Sequence, residues 1–303
     1  MVVEESAQDF IVEEESMLFA DTLQGIDHLL LGVAQLEEAR HAYLRLGFQL
    51  TPRGKHIGWG TANYCVMFPD DYLELLGIVD PEQDTNGLDQ FLKRGQGGLG
   101  VSFCGEALAT TAELLTQQAV AVDGPHILKR ILELESGDVM PRFELLRYGQ
   151  EVTAGISSFI CHHKTPEIVW QKQWLVHPNG AQGIRRVVYV MPDPGEVIER
   201  YAQFFGEDAV IVSDGFLEIQ IQGANQVIRI IAEEDLDRFY PGMEAQNRDR
   251  DLYMAAIHLW CADIKTTEAY FDHYRVAYRK EGDQRLRLDK KDACGVVLAF
   301  DVR

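Results

Sequence analysis

The chain has 303 residues, 46% of them apolar, enough to bury one large core or two ordinary ones and too apolar for a wholly disordered chain. Acidic residues outnumber basic ones 48 to 28, and the formal net charge of -20 repels nucleic-acid phosphates and anionic lipid head groups, so neither is expected as a partner. No apolar run reaches the roughly 20 residues of a membrane-spanning helix, and Cys65, Cys104, Cys161, Cys261 and Cys294 stand apart without a CxxC pair, as in a reduced, cytoplasmic protein.

The opening stretch MVVEESAQDFIVEEES lacks the basic and apolar regions of a signal peptide and reads as a solvated acidic tail, expected to extend over residues 1–22. GIDHLLLGV, from Gly25, then reads as a buried strand with Ile26, His28 and Leu30 on one face and Asp27, Leu29 and Leu31 on the other. Leu36, Ala39, Tyr43, Leu44 and Leu46 form a helical apolar stripe that Gly47 stops. FQLTPR, NYCVMFP and DYLELLGIV follow as short strands, and in the last of them Glu74 shares a face with Tyr72 and Leu76, a carboxylate inside an apolar run. GQGGLG, residues 95–100, spells a dinucleotide fingerprint but follows the helix-like LDQFLKR and leads into a strand, so it reads as a connection.

The order strand, helix, three strands restarts at GLGVSFCGE (98), GIRRVVYVM (183) and MAAIHLWCAD (254), at intervals of about 70 to 85 residues. One such unit exposes a sheet face that it cannot bury alone. The expected fold is therefore α+β, with four βαβββ units paired into two domains with curved mixed sheets, residues 23–178 and 179–303. The boundary is set at the turn residues His177, Pro178, Asn179 and Gly180.

This pattern resembles the vicinal oxygen chelate superfamily. More narrowly, GIDHLLLGV, TPRGKHIGWGTANYCVMFPDDYLELLGIVDP and ISSFICHHKTPEIVWQKQWLVHPNGAQGI resemble the glyoxalase-like domain proteins, a likeness fairly specific over residues 25–183 and architectural beyond. The resemblance implies a divalent metal ion (Fe, Mn, Zn or Ni) on the concave face, a small oxygen-rich substrate, and lyase, isomerase or dioxygenase chemistry. It places metal ligands on the first and last strands of a unit, where His28 and Glu74 stand. In the residues' own terms, a buried unpaired carboxylate costs several kcal/mol, and either a cation or a direct His28–Glu74 hydrogen bond removes that cost. A third ligand comes from His162 or His163. Strand parity does not decide between them, and the spacing to Thr165, Pro166 and Glu167 in the family selects His163.

The loop RGKHIGWGTANY gathers Arg53, Lys55 and His56 in an acidic chain, and either a solvated hairpin or an anion-holding loop fits that composition. Resemblance favours substrate contact by Arg53, His56, Thr61 and Asn63, with His56 also catalytic. Glu144 in RFELLRY is a second catalytic candidate, although Arg142 and Arg147 beside it fit a plain ion pair equally. Trp170 and Trp174 suit an apolar rim or inter-domain packing. In the second half Arg186 takes the place of His28, the fourth unit has His258, and Ala299 is aligned with Glu74, so this half is expected to be a scaffold or lid without metal. A metal-free ligand-binding or sequestering protein is the alternative function, and a homodimer stays open as the assembly.

Overall fold

A computed structural model describes residues 17–243 and 250–303. The first unit comprises β1 (Gly25–Gly32), a helix (Leu36–Arg45), β2 (Gly54–His56), β3 (Thr61–Met67) and β4 (Tyr72–Ile78). The second comprises β5 (Gly97–Cys104), a helix (Leu108–Gln117), β6 (Val122–Leu132), β7 (Arg142–Tyr148) and β8 (Ser158–His163). The third has β9 (Ala181–Met191), a helix (Ile198–Phe205), β10 (Val210–Ser213), β11 (Phe216–Ile221) and β12 (Gln226–Ala232). The fourth has β13 (Tyr253–Cys261), a helix (Ile264–Tyr274), β14 (Arg279–Lys280), β15 (Arg285–Leu288) and β16 (Val297–Val302). In every unit the first and last strands pair in parallel, the register expected of a repeated βαβββ element.

The two halves close differently. In the first, the strands run β1-β4-β3-β2-β6-β7-β8-β5, and β5 pairs back onto β1, giving a closed ring. In the second, the order is β10-β11-β12-β9-β13-β16-β15-β14, and no pairing joins β10 to β14 among the described residues. β5 meets β13 at Gly98 and Met254, where a Cβ on Gly98 would stand 2.3 Å from the Met254 Cβ, so only glycine allows the halves to approach there. No helix among the described residues is long and apolar enough to cross a membrane.

Alternation along β1 sends Leu29 and Leu31 into the main core and His28 and Leu30 toward a cavity within the closed ring. That core is continuous between halves: the Phe48 ring lies 6.1 Å from Phe300, Phe103 lies 6.1 Å from Phe205, and Tyr43 donates to the Ala293 carbonyl at 3.5 Å. A buried polar staple crosses the same junction. Gln226 accepts from the Ile26 amide at 2.6 Å and donates to Asp71 at 2.8 Å, while Asp71 accepts from the Ile184 amide at 3.0 Å. The turn at His177–Gly180 is in place, with Asn179 donating to the Leu46 carbonyl at 2.9 Å.

Residues 1–16, most of the expected tail, lie outside the described residues. The expectation does not hold for the stretch that follows. Phe19–Thr22 forms a 3-10 turn, and Phe19 is fully buried, with ring centroids 5.2 Å from Tyr148 and 5.6 Å from Phe205. The apolar run Leu18, Phe19 and Ala20 drives this, because its burial repays the ordering of one short turn. Phe19→Ala is expected to cost about 3 to 5 kcal/mol, seen as an earlier urea midpoint. An unchanged midpoint would remove Phe19 from the core.

Candidate functional site

The closed ring of the first half encloses a cavity of about 340 Å³. Its wall is mainly apolar, with Leu30, Leu76, Leu128, Leu145 and Phe159 among the lining side chains, while a few buried polar groups from the first unit and β6 converge at one side.

His28 is central to that polar side. β1 carries a bulge between Ile26 and His28, so Asp27 is an extra residue against β5 and its carboxylate turns to the side of its neighbour. Asp27 Oδ1 lies 2.5 Å from His28 Nδ1 and 3.2 Å from His163 Nε2. Burial alone would raise the Asp27 pKa, but the imidazoles of His163 and His28 hold it well below the usual carboxylate range. Asp27 holds the ring through Nδ1 and so turns Nε2 toward the cavity. The ring is further held by Tyr72, stacked at 4.4 Å.

His28 Nε2 stands 3.4 Å from Glu74 Oε2, without a hydrogen bond between them. The other oxygen, Oε1, accepts from the Asn63 amide at 2.5 Å and lies 4.0 Å from His56 Nε2. Burial raises the Glu74 pKa, but His28, His56, Asn63 and Arg130 together bring it below its ordinary value, so the buried carboxylate is ionised. His56 Nδ1 is held by the Thr61 hydroxyl at 2.9 Å; burial and Arg130 lower its pKa against the pull of Glu74.

The second unit faces this group across β1 and β5. His28 pairs with Ser102, and the β5–β8 register (Ser102 with Phe159, Cys104 with Cys161) repeats that of β1–β4 (His28 with Tyr72, Leu30 with Glu74). Ser102 and Cys161 therefore occupy the positions that correspond to His28 and Glu74. Burial, with Asp27 next, pushes the Cys161 thiol well above its ordinary pKa.

A glyoxalase-like domain model matches residues 26–205, more than half the chain. The chain belongs to the glyoxalase-like domain family. This family lies within the vicinal oxygen chelate superfamily, and the solved structures similar to this chain fit that fold. A hypothetical protein from Staphylococcus aureus has a TM-score of 0.64 at 13% identity, over 92% of this chain and 99% of its own. A variant of 4-hydroxymandelate synthase from Streptomyces coelicolor has a TM-score of 0.61 at 11% identity, over 93% of each chain. A fusion of a xylose isomerase-like TIM barrel with 4-hydroxyphenylpyruvate dioxygenase has a TM-score of 0.55 at 12% identity, over 93% of this chain and 49% of its own. At these identities the likeness is one of fold. No curated protein matches the chain.

Among the family-implied residues of this glyoxalase-like protein, His28, Glu74, His56, Thr61 and Asn63 all line the cavity. His163 does not join them as a third donor. It lies one pleat beyond Cys161, roughly 7 Å along the strand, where its Nε2 meets Asp27 and its ring packs 4.6 Å from Trp170. Asp27, Cys161 and His163 are the one trio of metal-capable side chains among the described residues whose donor atoms lie within 4.8 Å of one another. Glu144 is on the wrong face for catalysis in the cavity: Phe143, Leu145 and Arg147 line it, so Glu144 points away, 3.5 Å from Lys164 and 3.7 Å from His162. Arg53 is likewise engaged elsewhere, in a two-point pair with Glu133 at 2.9 Å. Trp170 and Trp174 pack against Cys65, Met67, Tyr72 and Leu132, on the same face of the first-half sheet as the cavity, with Trp170 donating to the Phe68 carbonyl at 3.0 Å. Arg130, which the sequence reading passed over, lines the cavity opposite His56.

The second half corrects one alignment. His258 pairs with Ala299 and Trp260 with Asp301, so Asp301, not Ala299, holds the slot of Glu74. Asp301 lies 2.9 Å from His258 Nδ1 and is also held by Arg185 at 2.7 Å and Arg285 at 2.5 Å. In the third unit Arg186 and Arg229 fill the corresponding slots, bridged by Glu218 at 3.1 and 2.6 Å. These charged groups pair with one another.

Proposed function

We propose that this glyoxalase-like protein is a divalent-metal-dependent enzyme acting on a small oxygen-rich substrate, with His28 and Glu74 holding the ion in the cavity of the closed ring. The observation that carries this reading is the approach of His28 Nε2 to Glu74 Oε2 at 3.4 Å without a hydrogen bond. Two donors bound to one ion at roughly 2.1 Å stand roughly 3.0 to 3.4 Å apart. Asp27 on the far nitrogen supports it, because a carboxylate there orients a ligating imidazole. A bound divalent ion supplies Lewis-acid polarisation of adjacent substrate oxygens, the feature shared by lyase, isomerase and dioxygenase chemistry in this superfamily.

The chain's own groups then have separable tasks. Asn63 fixes the Glu74 carboxylate through its amide. Thr61 fixes the His56 ring, whose Nε2 has no hydrogen bond and faces the cavity as a proton acceptor. The apolar part of the wall packs the body of the substrate beside these groups. Asp27→Asn is expected to weaken ion binding about 10- to 100-fold with the fold retained, measured by titration of the metal-free protein with Zn(II) or Mn(II). Unchanged affinity would reduce Asp27 to a packing role.

A metal-free ligand-binding protein is the second reading, favoured by the diversion of His163 to Asp27. Elemental analysis of untagged protein, compared with a His28→Ala, Glu74→Ala double variant, separates the two. About one ion per chain lost in the double variant supports the enzyme, and negligible metal in both supports the binder.

A further inference from the structure

We infer that Arg130 makes this cavity a receptor for small carboxylates with an apolar body; the inference rests on the first-half cavity being the substrate site and specifies what enters it. Arg130 is carried by β6 opposite His56 and is 3% exposed. A guanidinium offers five N–H donors, yet the hydrogen bond found for Arg130 goes to the Cys65 thiol at 3.5 Å, and its Nε has none. No carboxylate among the described residues comes within ion-pair distance of it, because Glu74 is turned to His28 and to the Asn63 amide. Leaving a buried cation with a thiol as its acceptor and no carboxylate in contact is costly in any protein. It is unexpected in one whose acidic residues number 48 against 28 basic.

The surroundings define the missing partner. The Arg130 guanidinium stands over the Phe143 ring at 5.2 Å, a contact that uses no N–H donor and leaves Nε without an acceptor. A planar fork of this kind takes a carboxylate through two parallel hydrogen bonds. Leu30, Leu76, Leu128, Leu145 and Phe159 make most of the lining apolar and suit a hydrocarbon or aromatic body, with Tyr148, Gln150 and Ser158 among the polar groups elsewhere on the wall. Arg147, the other arginine on the lining, is engaged by Asp123 at 3.7 Å and by the Trp59 ring, so the cavity presents one uncommitted guanidinium and fits one carboxylate.

The test uses an isosteric pair, 3-phenylpropionate and 3-phenylpropionamide, titrated calorimetrically into the full chain after metal removal and again with Mn(II). The metal-free protein is expected to bind the acid at least about 10-fold more tightly than the amide, and Arg130→Met to abolish that preference without changing affinity for the amide. Equal binding of acid and amide by the wild type, or a preference that survives in Arg130→Met, overturns the inference. Should that variant not fold, the Arg130 Nε–H resonance, assigned by its loss in Arg130→Lys, decides: it shifts with the acid and not with the amide, and a resonance unmoved by the acid overturns the inference. Acid preference in protein that never retains metal rejects the metal reading alone, and bound metal without acid preference rejects this inference alone.

Discussion

Glu74→Gln is expected to lower divalent-ion affinity on the order of 10³-fold while the chain stays folded. The substitution keeps the side-chain volume and an oxygen for the Asn63 amide, so the change is one of charge. In the native site that charge persists despite burial because His28, His56, Asn63 and Arg130 surround it. Removing it takes away the anionic donor and leaves His28 Nε2 as a lone imidazole beside a neutral amide. Metal content after dialysis and titration with Zn(II) or Mn(II) measure the effect, with circular dichroism as the check on folding. Any turnover found for the wild type is expected to fall in proportion to the bound ion. Undiminished metal binding would exclude Glu74 as a ligand and with it the proposed function.

Lowering the pH from 7 to 5 is expected to remove about 4 kcal/mol of folding stability through two buried imidazoles. His177, in the turn between the halves, accepts from the Gln49 amide at 3.0 Å and donates to the Met67 carbonyl at 2.9 Å, with both nitrogens thus committed to the neutral form. Burial pushes its pKa down to about 4. His258 is also pushed down to about 4 by burial, despite the Asp301 carboxylate, whose charge is already met by Arg185 and Arg285. The unfolded chain, with imidazoles near 6.5, takes up protons first. The contribution is complete above about 6.5 and is lost between about 6.5 and about 4, roughly 2 kcal/mol per histidine by pH 5. Asp301, held below the ordinary carboxylate range by His258 and Arg285 against burial, loses its contribution only below about 3.8, outside this window. Burial also pushes the His56 pKa down, which adds to the slope, and pushes that of Asp71 up, which opposes it. Urea unfolding at pH 7, 6 and 5 of the wild type, His177→Gln and His258→Gln isolates the two imidazoles, each variant flattening the slope. A slope unchanged in both variants would mean that neither imidazole is buried neutral.

The repeat and the strand faces were legible because they are local properties. Periodicity marked the four units, and alternation alone sends His28 and Glu74 inward from β1 and β4. What escaped depends on pairing between distant segments. The bulge that turns Asp27 toward His28 arises from the β1–β5 register, which nothing in GIDHLLLGV announces. Asp301 was displaced by Ala299 for the same reason: a strand such as VVLAFDV fits its partner in more than one register until the neighbouring strand is known. Glu144 and His163 show the two ways parity fails, one by an inverted face and the other by a single pleat along the correct face. Arg130 was overlooked because an arginine in a strand reads as solvated by default. Only closure of the ring through β2 and β6 encloses it.

The core shared between halves also sets how the molecule can come apart. Phe48 against Phe300, Phe19 against Phe205 and the Gln226–Asp71 staple tie elements more than 150 residues apart in sequence. A fragment ending near residue 178 would lay bare Tyr43, Phe48, Phe19 and Phe103 to water, and would leave the Asp71 carboxylate and the Ile26 amide without partners. Such a fragment is an aggregation hazard, not a smaller version of the protein. Although the sequence repeats fourfold and the cavity belongs to one half, the shared core is expected to make the two halves unfold together, loosening of the open ring withdrawing support from the closed one.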